Sequence, residues 1–251
     1  MRDSWRLALG TLTAVPVRPP GHVDLAVAGR AMLLAPLAVV PLGAAVALVT
    51  WGGRELGLSP FAVAAAAIGA LALGSRALHL DGLSDTVDGF TASHQAERSL
   101  AVMRSGTAGP AGVVAVVVVL GVQAGALVAL LFQPRGPILA LALVCLSRGS
   151  LSLACLRGVP AARTDGLGVH HAGSVAPLAA GLQWLVLAAV AGAVFAWAGL
   201  PWWHGVAGVC AAATLVGLLV AQAVRRLGGV TGDVFGAAVE LSLAALLVSA
   251  S

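Results

Sequence analysis

Residues 60–90 read PFAVAAAAIGALALGSRALHLDGLSDTVDGF. The stretch begins as an apolar run, Pro60 to Leu78, of the length that crosses a bilayer, about 20 residues. It ends in Asp81, Asp85 and Asp88, three of the ten acidic residues in the chain, within eight positions. On a helix these fall at i, i+4 and i+7, on one face. No Arg lies between them, so their mutual repulsion calls for a cation. Hard carboxylate oxygens suit Mg²⁺, which keeps waters and takes substrate phosphates as its remaining ligands. Ionisable residues at a membrane border are functional by default. A metal–diphosphate site at the end of a membrane helix is therefore the first expectation, with Gly82 and Gly89 allowing close approach to the backbone.

The rest of the chain is written in the same apolar style. Hydrophobic residues make up 59% and charged residues 10% of the 251, and the mean hydropathy is +0.99. A soluble domain carries about 25% charged residues, so an all-α polytopic membrane bundle is predicted, as a single domain over residues 1–251. All fourteen basic residues are Arg. In a membrane chain that excess reports topology, and no nucleic-acid partner is inferred from the high isoelectric point. Cys145, Cys155 and Cys210 sit singly in apolar runs and carry no disulfide or metal expectation. The first residues, with Arg2 and Arg6, suggest a short amphipathic helix at the membrane surface.

Seven spans are expected: Met32–Trp51, Pro60–Leu78, Gly109–Phe132, Pro137–Leu156, Val175–Leu200, His204–Val224 and Val234–Ser251. With the amino terminus inside, Arg2, Arg6, Arg18, Arg30, Arg76, Arg98, Arg104, Arg157, Arg163, Arg225 and Arg226 fall on the cytoplasmic side. Only Arg54 and Arg135 fall outside, a clear positive-inside bias. The three polar segments, 79–107, 157–173 and 225–233, then share the cytoplasmic face. That arrangement fits an enzyme whose polar substrates arrive from the cytoplasm of a bacterial cell. A transporter places its ionisable residues at mid-membrane in both halves of a repeat, and no such repeat is evident.

Each polar segment contributes candidates. Glu97 and Arg104 share a helical face, and Ser105–Pro110 offers backbone N–H groups as an anion site at the start of a span. Arg148 lies within a span, where an unpaired guanidinium is costly; an acid or a substrate phosphate is its expected partner. Arg163 and Asp165 flank the glycines of the second loop, and His170 and His171 follow without an assigned role. Arg225, Gly228 and Gly229 form a Gly-rich loop suited to phosphate. Asp233 and, seven residues on, Glu240 share the face of the last helix. Carboxylates for a metal, arginines for charge and glycines for close approach are the parts of phosphoryl or nucleotidyl transfer.

Four motifs, in order and spread over nearly the whole chain, carry a resemblance. They are HLDGLSDTVDG (79–89), Glu97-Arg98 with MRSGTAG (103–109), ARTDGLG (162–168) and LGGVTGDVFGAAVE (227–240), preceded by LTAVPV (12–17). The chain resembles the cobalamin synthase, or adenosylcobinamide-GDP ribazoletransferase, family. The resemblance implies that the ribose 3′-hydroxyl of α-ribazole, or of its 5′-phosphate, attacks the cobinamide-linked phosphorus of adenosylcobinamide-GDP. GMP leaves and adenosylcobalamin, or its 5′-phosphate, forms, with Mg²⁺ required. It implies Mg²⁺ on Asp81, Asp85 and Asp88, with Arg104 or Arg148 neutralising the leaving GMP. Asp165, Asp233 and His79 are each open as the proton acceptor. The lipid bilayer is the other partner, and a homo-oligomer is left open. Rival readings are a CDP-alcohol phosphotransferase-like enzyme, whose longer Asp-Gly-x-x-Ala-Arg signature is absent, a prenyltransferase with a second Asp-rich motif, and a transporter.

Overall fold

The computed structural model describes residues 1–251 and is built of helices alone: α1 (Arg2–Leu12), α2 (Leu25–Ala38), α3 (Val40–Glu55), α4 (Pro60–Gly74), α5 (Leu78–Ala92), α6 (Ala96–Met103), α7 (Pro110–Leu131), α8 (Gly136–Ser147), α9 (Ser150–Ala154), α10 (Gly166–His171), α11 (Pro177–Ala198), α12 (Trp202–Leu227) and α13 (Gly232–Ser249). Two isolated bridges, Leu156 to Val175 and Ala161 to Val230, are the only strand-like pairings.

Six helical runs are long and apolar enough to cross a membrane, and a bent pair brings the number to seven. The first span is longer than its apolar core suggests. α2 and α3 run almost continuously over 31 residues, Leu25–Glu55, because Asp24 caps the start by accepting the Val27 N–H at 2.7 Å. The fourth expected span is broken at Arg148 and Gly149, between α8 and α9. Lipid-facing side chains such as Val114, Val118, Leu182 and Leu218 are exposed, as they must be where the surrounding solvent is hydrocarbon.

The decisive bend is between α4 and α5. The two helices meet at 90°. Arg76 and Ala77 take left-handed φ values of 57° and 54°, a conformation that costs a residue with a Cβ about 1–2 kcal/mol. The corner is held from outside. The Arg76 guanidinium donates to the Gly10 carbonyl at 2.7 Å, and the Ala14 N–H donates to the Gly74 carbonyl at 2.6 Å. As a result α5 leaves the line of α4 and packs between α7 and α13. Two close approaches show how tightly: a Cβ on Gly82 would lie 2.6 Å from the Asp233 carbonyl oxygen, and one on Gly236 would lie 2.9 Å from the His79 carbonyl oxygen.

The three polar segments gather at one end of the bundle. Arg226 donates from α12 to the carbonyls of Phe90 and Ser93, at 2.9 and 2.6 Å. Arg104 reaches Asp165. The loop after α9 is tied to the loop before α13 through Ala162 N–H to Val230 and Val230 N–H to Pro160, both 2.9 Å. At the opposite end, Arg54 donates to the Gln133 carbonyl at 3.0 Å, and Arg135 stacks 4.6 Å from the centre of the Trp197 ring.

Candidate active site

A pocket opens at the polar end, with a cavity volume of about 220 Å³. Its polar walls come from four places, and Met32 of α2 and Leu151 of α9 add apolar surface. The start of α5 supplies His79 and Asp81, and the start of α13 supplies Asp233 and Gly236. The second loop and α10 supply Arg163, Asp165, Gly168 and His171, and the surface helix α1 supplies Thr11 and Leu12. Helix α13 starts at Thr231, whose hydroxyl accepts the Val234 N–H at 3.4 Å and donates to the Asp233 carboxylate at 3.1 Å. A carboxylate in the first turn is favoured by the helix dipole.

The electrostatics centre on Arg163. Its Nη1 lies 3.5 Å from Asp233 Oδ2, with both side chains largely enclosed, and its Nη2 donates to the Leu100 carbonyl at 3.3 Å. Asp85, half-buried on the next turn after Asp81, feels the negative charges of Asp81, Asp233 and Asp88 and the positive charge of Arg163. Asp81 and Asp85 on α5 and Asp233 on α13 thus stand near one another, because the two helices touch at Gly82. No three His, Cys, Asp or Glu side chains converge tightly enough to enclose a metal ion unaided. This donor set suits Mg²⁺, which uses one or two carboxylates and completes its shell with water and phosphate oxygens.

His171, on α10 and 3% exposed, donates from Nδ1 to the Leu167 carbonyl at 2.9 Å, which assigns the proton to that nitrogen. Burial pushes its imidazole below the ordinary value, against the opposing pull of the Leu167 hydrogen bond. Its Nε2 has no partner. Sequence reasoning left this residue open; the signal that places it is the Gly166–His171 helix, which turns its last residue inward.

Several expected site residues stand elsewhere. Asp88 is buried and faces α7. Its carboxylate accepts the Gly109 N–H at 2.7 Å and the Gly112 N–H at 2.8 Å. The anion site expected at the start of this span is therefore filled by the chain's own carboxylate. Gly109 and Gly112 are required there, since a Cβ on either would come within 2.5 Å of the Asp88 oxygens. Asp88 lines a different cavity from Asp81, together with Arg98 and Thr107.

The glycine loop is not an open cradle. Gly228 ends α12 with a left-handed φ of 79°, and a Cβ on Gly229 would strike the Pro160 carbonyl oxygen at 2.4 Å. The pair is occupied in packing two loops together. Arg225 is exposed and bonds Gln222; its neighbour Arg226 makes the structural contacts that sequence reasoning did not single out. Arg148 and Glu240 are buried in the bundle interior and do not line the pocket. Arg148 is fully buried and donates from Nη1 to the Val144 carbonyl and the Ser147 hydroxyl, at 3.0 and 2.8 Å. Glu240 accepts from Gln123 at 2.7 Å. The charges of Arg148 and Glu240 act on one another across the core. Glu97 and Arg104 line a groove beside the pocket, and Arg104 bonds Asp165 at 2.7 Å.

Comparison with known proteins bears on this geometry. The family model described as cobalamin-5-phosphate synthase matches residues 4–251. The chain is similar to a protein of Nocardioides sp. named adenosylcobinamide-GDP ribazoletransferase, 57% identical over 99% of this chain and 98% of the relative. Proteins of the same name from Frankia casuarinae and Pseudomonas aeruginosa are 36% and 38% identical, over 97% and 99% of this chain and 92% and 99% of the relatives. No solved structure shows a significant match.

Proposed function

The chain belongs to the cobalamin-5-phosphate synthase family, and we propose that the pocket between α5, α10 and α13 is where it carries out the ribazole transfer for which its relatives are named. It is an integral membrane transferase of cobalamin biosynthesis. The donor is adenosylcobinamide-GDP and the acceptor is α-ribazole or its 5′-phosphate. The observation that carries this reading is the convergence of Asp81, Asp85, Asp233 and Arg163 in and beside one pocket, from three segments that are distant in sequence.

The transfer is a substitution at phosphorus. The ribose hydroxyl oxygen forms a bond to the cobinamide-linked phosphorus, the phosphoanhydride bond breaks, and GMP departs with the bridging oxygen. Asp81 with one neighbouring carboxylate, Asp85 or Asp233, would hold Mg²⁺, which when bound neutralises diphosphate oxygens and favours the leaving group. Arg163 stands beside them and stabilises negative charge that grows on the departing phosphate. The hydroxyl proton passes to a pocket group that is not on the metal, Asp165, Asp233 or His79, and is released to solvent as products leave. α10 and α1 line the pocket opposite the carboxylates of α5 and α13. Asp88 has no part in this scheme beyond holding α7 against α5.

The active end faces the cytoplasm of a bacterial cell membrane in this reading. The support is the eleven arginines at or near that end against Arg54 and Arg135 at the other, the bias that marks the inside. The test of the whole reading is product formation. Purified protein in nanodiscs, given adenosylcobinamide-GDP and α-ribazole, is expected to release GMP and form adenosylcobalamin with Mg²⁺ and to stop when the metal is chelated. Absence of product in every condition would refute it.

A further inference from the structure

A further cavity, about 440 Å³, adjoins the pocket and shares the Arg163 wall with it. One side is a single face of α6: Glu97, Leu100, Ala101 and Arg104, at i, i+3, i+4 and i+7. The other side is the bent loop segment Ala161–Thr164. The volume lies in the range of small-ligand sites, roughly 300–1,000 Å³.

The order of side chains along this groove is informative. A carboxylate stands at one end. Leu100, Ala101, Ala161 and Ala162 make an apolar middle. Two guanidinium groups, Arg104 and Arg163, stand at the other end. Arg104, the residue that caps α6, lies seven positions after Glu97, a rise of about 10 Å, comparable to the span from base edge to phosphate in a nucleoside monophosphate. Glu97 makes no hydrogen bond or ion pair with the protein, although Arg98 and Arg104 are its neighbours. A carboxylate in an anion-binding groove weakens phosphate binding, so its presence calls for a ligand with a donor edge.

We propose that this groove is the nucleotide subsite, in which Glu97 accepts the adjacent N1–H and N2–H of a guanine base while Arg104 and Arg163 take the phosphate next to the guanosine. The inference rests on the transferase reading above and assigns the GDP end of the donor to a place. Guanine presents two neighbouring donors to a carboxylate; adenine presents a lone pair at N1, which Glu97 repels. Arg163 then lies between the two cavities, with the nucleotide on one side and the carboxylate group with the diphosphate on the other. The Arg104–Asp165 bond, both partners more than half exposed, is exchanged for a phosphate contact when nucleotide enters.

The experiment is equilibrium dialysis of GMP and of AMP against the purified full chain in nanodiscs, wild type and Glu97→Gln. Wild type is expected to hold GMP at least about tenfold more tightly than AMP. Glu97→Gln is expected to weaken GMP binding roughly ten- to a hundredfold, with AMP binding unchanged. Glu97 is exposed, so the variant is expected to melt with the wild type. Equal binding of GMP and AMP by wild type, or a preference that survives Glu97→Gln, would overturn the assignment. No turnover is needed. Guanine selectivity without cobalamin formation would keep the subsite and remove the transferase reading; cobalamin formation without guanine selectivity would do the reverse.

Discussion

Gly82 of α5 lies directly against Asp233 of α13: a Cβ at Gly82 would stand 2.6 Å from the Asp233 carbonyl oxygen and 2.9 Å from its Cα. This contact joins the helix that carries Asp81 and Asp85 to the helix that carries Asp233. The acidic half of the pocket exists because no side chain separates them.

Gly82→Ala is therefore expected to cost about 1–3 kcal/mol through overpacking against backbone. It should also lower turnover, since the strain is relieved by moving Asp233. Gly121→Ala, where a Cβ meets nothing within 4 Å, is the control and should change neither. Unfolding in mixed detergent and the rate of GMP release measure the two effects.

Asp88 is expected to behave as a helix cap. Asp88→Ala leaves the N–H groups of Gly109 and Gly112 unpaired and should destabilise the fold by about 1–2 kcal/mol. The Mg²⁺ concentration needed for half-maximal turnover should be unchanged in the protein that remains folded. A large rise in that concentration would return Asp88 to the metal site.

How far the sequence showed this in advance can be judged on these residues. The helix over the Asp cluster was legible, because i, i+4, i+7 spacing beside an apolar run has one simple reading. Asp88 was not separable from its neighbours by that spacing. It shares their face but lies about 10 Å along the axis from Asp81, and the rise delivers it to α7 instead of the pocket. Ser105–Pro110 at the start of a span suggested an anion site, and Gly109 belongs to it; that the anion is Asp88, and that Gly112 shares in binding it, required the tertiary contact. The 90° corner was invisible, since Arg76 and Ala77 are not residues that signal a left-handed turn. The gathering of polar segments at one end was legible from the arginine distribution, and the pairings within it were not.

Arg148 and Glu240 are opposite charges in the core that make no direct ion pair, each held by other partners. Arg148→Met removes the Val144 and Ser147 hydrogen bonds together with the charge opposite Glu240 and should cost about 1–3 kcal/mol. The double variant Arg148→Met with Glu240→Gln should recover part of that loss. Denaturation in mixed detergent reads both, and an additive double variant would show that the two do not communicate.

His171 gives the fold a pH dependence. Its folded pKa is depressed by burial, and the unfolded value is about 6.5. Below about 6.5 the unfolded chain binds a proton that the folded chain refuses, so stability is complete above that pH and falls as pH drops through it. The melting temperature should decline from pH 7.5 to pH 5.5, and His171→Leu should flatten the decline. An unchanged slope in that variant would assign the effect to other groups.

Asp81, Asp85 and Asp233 are expected to act together in turnover. The direct measurement is the rate of GMP release from adenosylcobinamide-GDP with α-ribazole and Mg²⁺, for wild type and for Asp81→Asn, Asp85→Asn and Asp233→Asn in nanodiscs. Each variant is predicted to melt close to wild type and to lose at least about a hundredfold in rate. Variants that keep the wild-type rate would contradict the assignment of this pocket as the active site.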